Sequence, residues 1–305
     1  MNKDENDRKW QVSRRRLLKL MGTAGAAAVA IPLVPTFLGK VSAHSSESNG
    51  SNSQRLRRWG MVIDLRSCDG CQSIGKPPQC TQGCINGHFL PEPMEWIQIF
   101  EYDLPGGGTQ FVPVPCQQCQ SPPCGNVCPV GATFSIPEGP VLIDQGRCIG
   151  CRICMAACPY DRRFFAWGQP PQPPEALLVD YNPEQQVPLP IGTVTKCDFC
   201  PDMARVGRLP YCAQGCPQRA IYYGDLEEDM ATNGLELLKL SKVLSENQAY
   251  RLKEELNTKP RVYYISGHGE LVGAGRDPYK HGRLPSQWPW IEKIKGAKTW
   301  SRSGR

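Results

Sequence analysis

A chain of 305 residues, 40% hydrophobic and 21% charged, can bury one sizeable core or two smaller ones and is neither collagenous nor a highly charged disordered polymer. It holds 16 cysteines beside only 4 histidines and is too long for a small disulfide scaffold, so cysteine is the residue that carries chemistry. The net charge of +6 is concentrated in residues 1–43, where eight Lys/Arg face three Asp/Glu; the remainder is near +1, and no nucleic-acid partner is expected.

The first element is a leader. Ser13-Arg14-Arg15-Arg16-Leu17-Leu18-Lys19 follows the twin-arginine pattern, with Leu17 where phenylalanine often stands. An uncharged stretch from Leu20 to Gly39 follows, and Val41-Ser42-Ala43 suits cleavage after Ala43. About 18 uncharged residues could also stay in a bilayer as an anchor, but Pro32, Pro35 and many small residues weaken a span. Residues 1–43 are therefore expected to be a signal peptide that directs the chain to the extracytoplasmic (periplasmic) face of the membrane. Twin-arginine export carries folded proteins, so a cofactor can be inserted in the reducing cytoplasm before sixteen thiols meet an oxidising compartment.

Residues 44–58 read as a polar linker. From Trp59 short strand-like runs alternate with cysteine clusters: Met61–Leu65 and Val141–Asp144 precede a cluster, while Trp96–Phe100 and Ala220–Tyr223 follow one. Leu235 to Leu256 carries apolar residues at helical spacing (Leu237, Leu240, Val243, Leu244) and is predicted to be a packing helix, with Val262–Ile265 as a strand after Pro260. Residues 266–305, rich in Gly, Pro, Lys and Arg with Trp288, Trp290 and Trp300, read as an arm or as disorder.

Every cysteine falls into one of four runs. Run one is Cys68, Cys71, Cys80 and Cys84; run two is Cys116, Cys119, Cys124 and Cys128. Run three is Cys148, Cys151, Cys154 and Cys158; run four is Cys197, Cys200, Cys212 and Cys216. Each opens with C-x2-C and closes with C-x3-C, and proline follows Cys128, Cys158 and Cys216. Run three is the bacterial ferredoxin pattern, in which three thiolates hold one cluster and the fourth serves its neighbour. Soft thiolates suit iron and keep a cluster intact through one-electron changes. Zinc ribbons also use paired C-x2-C elements, but seldom need a repeated C-x3-C-Pro ending. Disulfides are disfavoured because cysteines two residues apart make poor partners in a staple network.

The four runs in this order resemble the four-cluster iron–sulfur subunits of the dimethyl sulfoxide, polysulfide and nitrate reductase family, over about residues 59 to 265. The likeness rests on Met61-Val62-Ile63-Asp64, on Cys124-Gly125-Asn126-Val127-Cys128-Pro129-Val130-Gly131-Ala132-Thr133, on Cys148-Ile149-Gly150-Cys151-Arg152-Ile153-Cys154, and on Lys196-Cys197-Asp198-Phe199-Cys200. The resemblance implies an α+β fold with two ferredoxin-like dicluster halves, one from residues 116–189 and one from residues 59–115 with 190–265, plus the C-terminal helix and arm. It implies four [4Fe–4S] clusters, held by Cys68/Cys71/Cys80/Cys216, Cys84/Cys197/Cys200/Cys212, Cys116/Cys119/Cys124/Cys158 and Cys128/Cys148/Cys151/Cys154. Run one departs from the family in having eight residues, Gln72 to Gln79, between its second and third cysteines where two are usual. Loop-closure cost grows only logarithmically with length, and Gly75 with Pro77-Pro78 suits a surface turn.

Nothing in the chain resembles a catalytic site. His88, His268 and His281 lie in Gly-flanked contexts and read as surface histidines. The expected function is a non-catalytic relay that passes electrons between a polytopic quinone-reactive membrane subunit and an extracytoplasmic, molybdopterin-type catalytic subunit. A direct reductase would need an open iron site, which sixteen thiolates on four cubanes do not leave, and a purely structural module would hold clusters that resist reversible reduction. A transmembrane redox complex of sulfur or respiratory metabolism without molybdenum is the alternative setting.

Overall fold

The computed structural model describes residues 56–104 and 107–266. The leader, most of the linker, His268, His281 and the arm beyond Ser266 lie outside the described residues. Short elements follow one another in chain order: β1 (Trp59–Asp64), α1 (Gln79–His88), β2 (Gln98–Asp103), β3 (Thr109–Val114), α2 (Pro123–Asn126), β4 (Thr133–Ser135), β5 (Val141–Ile143), α3 (Ile153–Ala157) and β6 (Phe164–Phe165). The second part holds α4 (Pro174–Leu177), β7 (Val194–Thr195), α5 (Pro201–Arg205), α6 (Tyr211–Gly215), β8 (Ile221–Asp225), β9 (Met230–Thr232), β10 (Leu237–Lys239), α7 (Leu240–Glu246) and β11 (Val262–Ile265). The class is α+β: small sheets and short helices framing long loops.

The largest sheet has the order β10-β9-β8-β1-β11, with β1 antiparallel to β8 and parallel to β11. Every residue of β1 is buried, because both faces of the strand are covered. Successive side chains of a strand point to opposite faces. Trp59, Met61 and Ile63 accordingly join the main core with Phe199, Cys212 and Tyr264, while Val62 joins a second cluster with Tyr222, Leu240 and Ile265. The remaining strands form three two-stranded sheets, β2-β3, β4-β5 and β6-β7, which frame the cysteine loops.

The expected helix from Leu235 to Leu256 is corrected. Leu237–Lys239 is an edge strand antiparallel to Met230–Thr232, so only Leu240–Glu246 is α-helical, with a separate 3-10 turn at Glu254–Leu256. A turn decides this: Asn233 Oδ1 accepts the amides of Leu235 and Glu236 at 3.0 and 3.1 Å and bends the chain back along β9. The Asp229 carboxylate then takes the amide and the hydroxyl of Ser241, each at 2.6 Å, at the start of α7. Leu240, Val243 and Leu244 still pack on the sheet through the second cluster. Among the described residues, no helix is long and apolar enough to cross a membrane.

Two helix contacts organise the cysteines. Helix α1 of run one packs on α6 of run four, and α2 of run two packs on α3 of run three. The α1–α6 contact depends on glycine. A Cβ at Gly83 would meet the Tyr211 carbonyl oxygen at 2.8 Å, and one at Gly215 would meet the Gln79 carbonyl oxygen at 2.6 Å, so only bare backbones can approach this closely.

Candidate metal centres

Each C-x2-C pair is a tight loop with left-handed backbone in or just beyond the pair. Gly70 and Cys71 take it in run one, Gln118 in run two, Gly150 in run three, and Phe199 with Cys200 in run four. This conformation is uncommon for residues other than glycine, and here it reverses the chain so that two thiols can face one point. The C-x3-C ends are helical: Cys124 lies in α2, Cys154 in α3, Cys80 and Cys84 in α1, and Cys212 in α6. Cys158 and Cys216 stand at the C-terminal ends of α3 and α6, where the following proline cannot continue the helix.

The loops bring the thiols together in groups drawn from two runs. One cavity is lined by Cys116, Cys119 and Cys124 together with Cys158. A neighbouring cavity is lined by Cys128, Cys148, Cys151 and Cys154. In both, one cysteine comes from the opposite run. Electrostatics reveals the other two groups. Burial pushes the Cys68 thiol up to about 12, with Cys216 and Cys71 adding to the effect. Burial also raises Cys80, beside Cys68, Cys216, Cys212 and Cys71, and raises Cys84, beside Cys212, Cys197, Asp198 and Cys80. Cys200 is raised by burial and then by Asp198, Cys212, Cys197 and Cys84.

Electrostatic reach links the thiols of neighbouring groups one to the next. Cys154 of the first lies within electrostatic reach of Cys124 of the second, Cys116 of the second reaches Cys197 of the third, and Cys212 of the third reaches Cys80 of the fourth. Buried cations and amides hold the joints. Arg163 is buried beside Cys124, Cys154 and Cys116; burial opposes its charge, but the neighbouring sulfurs outweigh it and push the guanidinium further up. Lys196 is fully buried and donates to the carbonyl oxygens of Val141 and of Cys197, the latter at 2.7 Å. Gln118 donates to the same Cys197 carbonyl at 2.8 Å and accepts the Val141 amide at 2.7 Å, which ties run two to run four.

Sets of four sulfurs, with no imidazole or carboxylate among the residues lining the two cavities, suit iron–sulfur chemistry. The buried thiols lose their protons only beside a strong positive charge, which metal ligation supplies.

Run one differs from the other three. The eight residues after Cys71 form a 3-10 turn, Gln72–Ile74, and return at Pro78, and the Gln79 amide donates to Cys71 Sγ at 3.4 Å. Cys80 is buried in the first turn of α1. The surface reading of His88 is corrected: it is 5% exposed, at the C-terminal end of α1, with Nε2 3.3 Å from Cys200 Sγ and Nδ1 3.6 Å from Asp198 Oδ2. Its flanking Gly87 marks close packing against the Tyr211 ring rather than a loop. The sequence did hold a signal, since Cys80, Cys84 and His88 are spaced by four and share one helix face.

Comparison with known proteins adds the family. Residues 108–170 match the family described as a 4Fe-4S dicluster domain. A selenate reductase subunit of Mesobacillus selenatarsenatis is 38% identical over 68% of this chain and 72% of its own length. A Halobacterium salinarum protein, whose name assigns it provisionally as an iron–sulfur subunit of dimethyl sulfoxide reductase, is 35% identical over 82% of this chain and 92% of its own. The menaquinone reductase iron–sulfur cluster-binding subunit of Nitratidesulfovibrio vulgaris is 33% identical over 78% and 96%. With the sulfur-lined cavities, these relatives show that the chain is an iron–sulfur electron-transfer protein of reductase complexes and belongs to the family of iron–sulfur (beta) subunits of the molybdopterin oxidoreductases.

Proposed function

We propose that the chain holds four [4Fe–4S] clusters and relays electrons between a polytopic quinone-reactive membrane subunit and an extracytoplasmic, molybdopterin-type oxidoreductase subunit. The ligand sets are Cys128/Cys148/Cys151/Cys154, Cys116/Cys119/Cys124/Cys158, Cys84/Cys197/Cys200/Cys212 and Cys68/Cys71/Cys80/Cys216. Runs two and three make one ferredoxin-like half, and runs one and four the other. The observation that carries this reading is the pair of cavities each lined by four cysteines from two runs, with the thiols of runs one and four within electrostatic reach of one another and of Cys116. A structural or zinc-binding role does not require thiol groups linked in this way, whereas a wire does.

A bound cluster supplies one-electron uptake and release at nearly fixed geometry. The chain does the rest. It fixes the spacing between neighbouring groups through α1–α6 and α2–α3, excludes water from the inner groups, and sets local charge with Arg163 and Lys196. The group containing Cys151 is nearest to solvent: Cys151 is exposed, as are Ile149 on the same loop and Ile153 at the start of α3. It is the natural terminus for exchange with a partner.

The chain is proposed to reach the extracytoplasmic side by twin-arginine export, on the motif at Arg14-Arg15. The relatives' names point to different terminal reactions, so a second reading has its own support: the name of the Nitratidesulfovibrio protein carries menaquinone reduction, which fits a quinone-linked complex without molybdenum. Anaerobic purification with counts of iron, sulfide and molybdenum, followed by electron paramagnetic resonance (EPR) during reduction, tests both. The expected result is about sixteen irons per chain, one for each cysteine, with reversible, magnetically interacting signals and molybdenum in the co-purifying complex. Zinc, or far fewer irons without reversible signals, overturns the relay; a complex free of molybdenum selects the second setting.

A further inference from the structure

The proline that follows the last cysteine of a run is missing once, and the break places a side chain against a metal-ligand sulfur. In runs two, three and four the last cysteine is followed by proline, but Cys84 is followed by Ile85. Helix α1 therefore runs one turn beyond Cys84 to His88, whereas α3 and α6 stop at Cys158 and Cys216. In runs two and four the residue four beyond the last cysteine serves that same cysteine with a backbone amide: Ala132 to Cys128 Sγ at 3.2 Å, Ala220 to Cys216 Sγ at 3.4 Å. His88 occupies the equivalent place in run one and reaches across to run four instead, with Nε2 3.3 Å from Cys200 Sγ.

We propose that His88 donates its Nε2–H to Cys200 Sγ and thereby raises the reduction potential of one cluster, that of Cys84, Cys197, Cys200 and Cys212, above what its four thiolates alone would give. The inference rests on the ligand sets proposed above. A sulfur bonded to iron carries no proton, so a hydrogen bond between it and the ring requires the proton on Nε2, with the ring either doubly protonated beside the Asp198 carboxylate or accepting at Nδ1 from a protonated Asp198. Buried polar atoms need partners, and at 5% exposure Cys200 Sγ is the hydrogen-bond partner of Nε2, while Asp198 Oδ2, which has no hydrogen-bond partner of its own, lies 3.6 Å from Nδ1. The ring is held from several sides. Trp96 lies 4.6 Å and Tyr211 5.1 Å from its centroid, the latter edge-on, and the Asp198 carboxylate that faces Nδ1 also accepts the Cys200 amide at 2.8 Å through Oδ1. One acid thus positions both the donor and the backbone of the acceptor. A hydrogen bond to sulfur stabilises negative charge there, and the reduced cluster has more of it, so the donor favours reduction.

The test uses the purified complex and EPR-monitored redox titration. Unmodified protein with about sixteen irons establishes the ligand reading first; far fewer would sink that reading and this proposal with it, whereas a full iron count leaves the proposal to stand or fall on the variants. In His88→Leu one cluster should become harder to reduce, with about a tenfold fall in its reduced-to-oxidised ratio at fixed potential, equivalent to about 59 mV for one electron. The other three should stay in place. His88→Gln keeps an N–H donor and should recover most of the shift. If His88→Leu loses iron, the unmodified protein labelled with 15N-histidine gives a second readout: pulsed EPR should detect a weak 15N coupling to one reduced cluster, absent in His88→Gln. Full iron with unshifted potentials, equal shifts in the Leu and Gln variants, no 15N coupling, or a stoichiometric non-iron metal lost with His88 would each overturn the proposal.

Discussion

Cys84, Cys200 and Cys212 are buried around two tightly packed helices, whereas Cys148 and Cys151 lie in a loop where Cys151 is exposed, although all five belong to the same C-x2-C and C-x3-C repeat. The surroundings set the chemistry. In the buried pair of groups, loss of hydration raises thiol after thiol; at Cys128, burial pushes upward too, but the amides of Thr133, Val130 and Ala132 outweigh it and bring the thiol down. One repeated motif can therefore give electron sites of different potential, because potential follows solvent exclusion and hydrogen bonds to sulfur rather than ligand identity.

The largest expected effect breaks the comparison at its hinge. Gly215→Val forces a side chain into the Gln79 carbonyl, which a Cβ would already approach to 2.6 Å. Overpacking of this kind costs ~1–3 kcal/mol or more. Iron per chain should fall by roughly half while the signals of the run two and run three pair survive; an unchanged iron count would show that the α1–α6 contact does not hold its groups together. Cys80→Ser is narrower: the buried hydroxyl replaces a thiol in one group, and one set of cluster signals should vanish. Full assembly of all clusters in that variant would mean that Cys80 is not a ligand.

A pH profile sharpens the contrast in the metal-free, reduced protein. Burial pushes Cys68, Cys119 and Cys212 up to about 12 in the fold, while an unfolded cysteine titrates near ~8.5. A raised folded value means that the stability these thiols contribute is complete below the unfolded value and is lost as pH rises towards about 12. Each removes up to about 1.4 kcal/mol per pH unit in that window, whereas Cys128, shifted the other way, has lost its proton in both states there and adds no opposing slope. Denaturant midpoints at pH ~8 and ~10 should therefore fall steeply. A flat profile would mean that burial does not govern these thiols. The smallest effect belongs to Arg163→Met, which removes a buried cation beside Cys124 and Cys154. The two clusters of runs two and three should become several-fold harder to reduce at fixed potential, about 1 kcal/mol each, with runs one and four unchanged in a redox titration.

Much of this site was legible because cysteine spacing is a local constraint: two residues between thiols is a tight turn, and three is one helical step. Which runs share a group was not legible, because interleaving depends on α1 meeting α6 across more than a hundred residues. It came from family likeness instead. Leu237–Lys239 misled for a related reason: its apolar spacing fits a helix, but the edge of β9 offers backbone partners that no local pattern reveals. His88 was missed because flanking glycine suggested a loop, when Gly87 is there to admit the Tyr211 ring. The main strands at Met61, Val141, Ala220 and Val262 were readable to within a few residues, since runs of β-branched and aromatic residues between turns leave little else for the chain to do.

Strand β1 is the first described element to leave the ribosome, and its two partners in the sheet, β8 and β11, are nearly the last. The groups built from runs two and three have all their thiols once Cys158 has emerged, whereas those built from runs one and four wait for Cys212 and Cys216. Contacts far apart in sequence form slowly. On the ligand sets proposed above, synthesis would impose an order on maturation: half the wire could be completed on the nascent chain, while the thiols of run one would have to be kept reduced and unclaimed until translation is almost over.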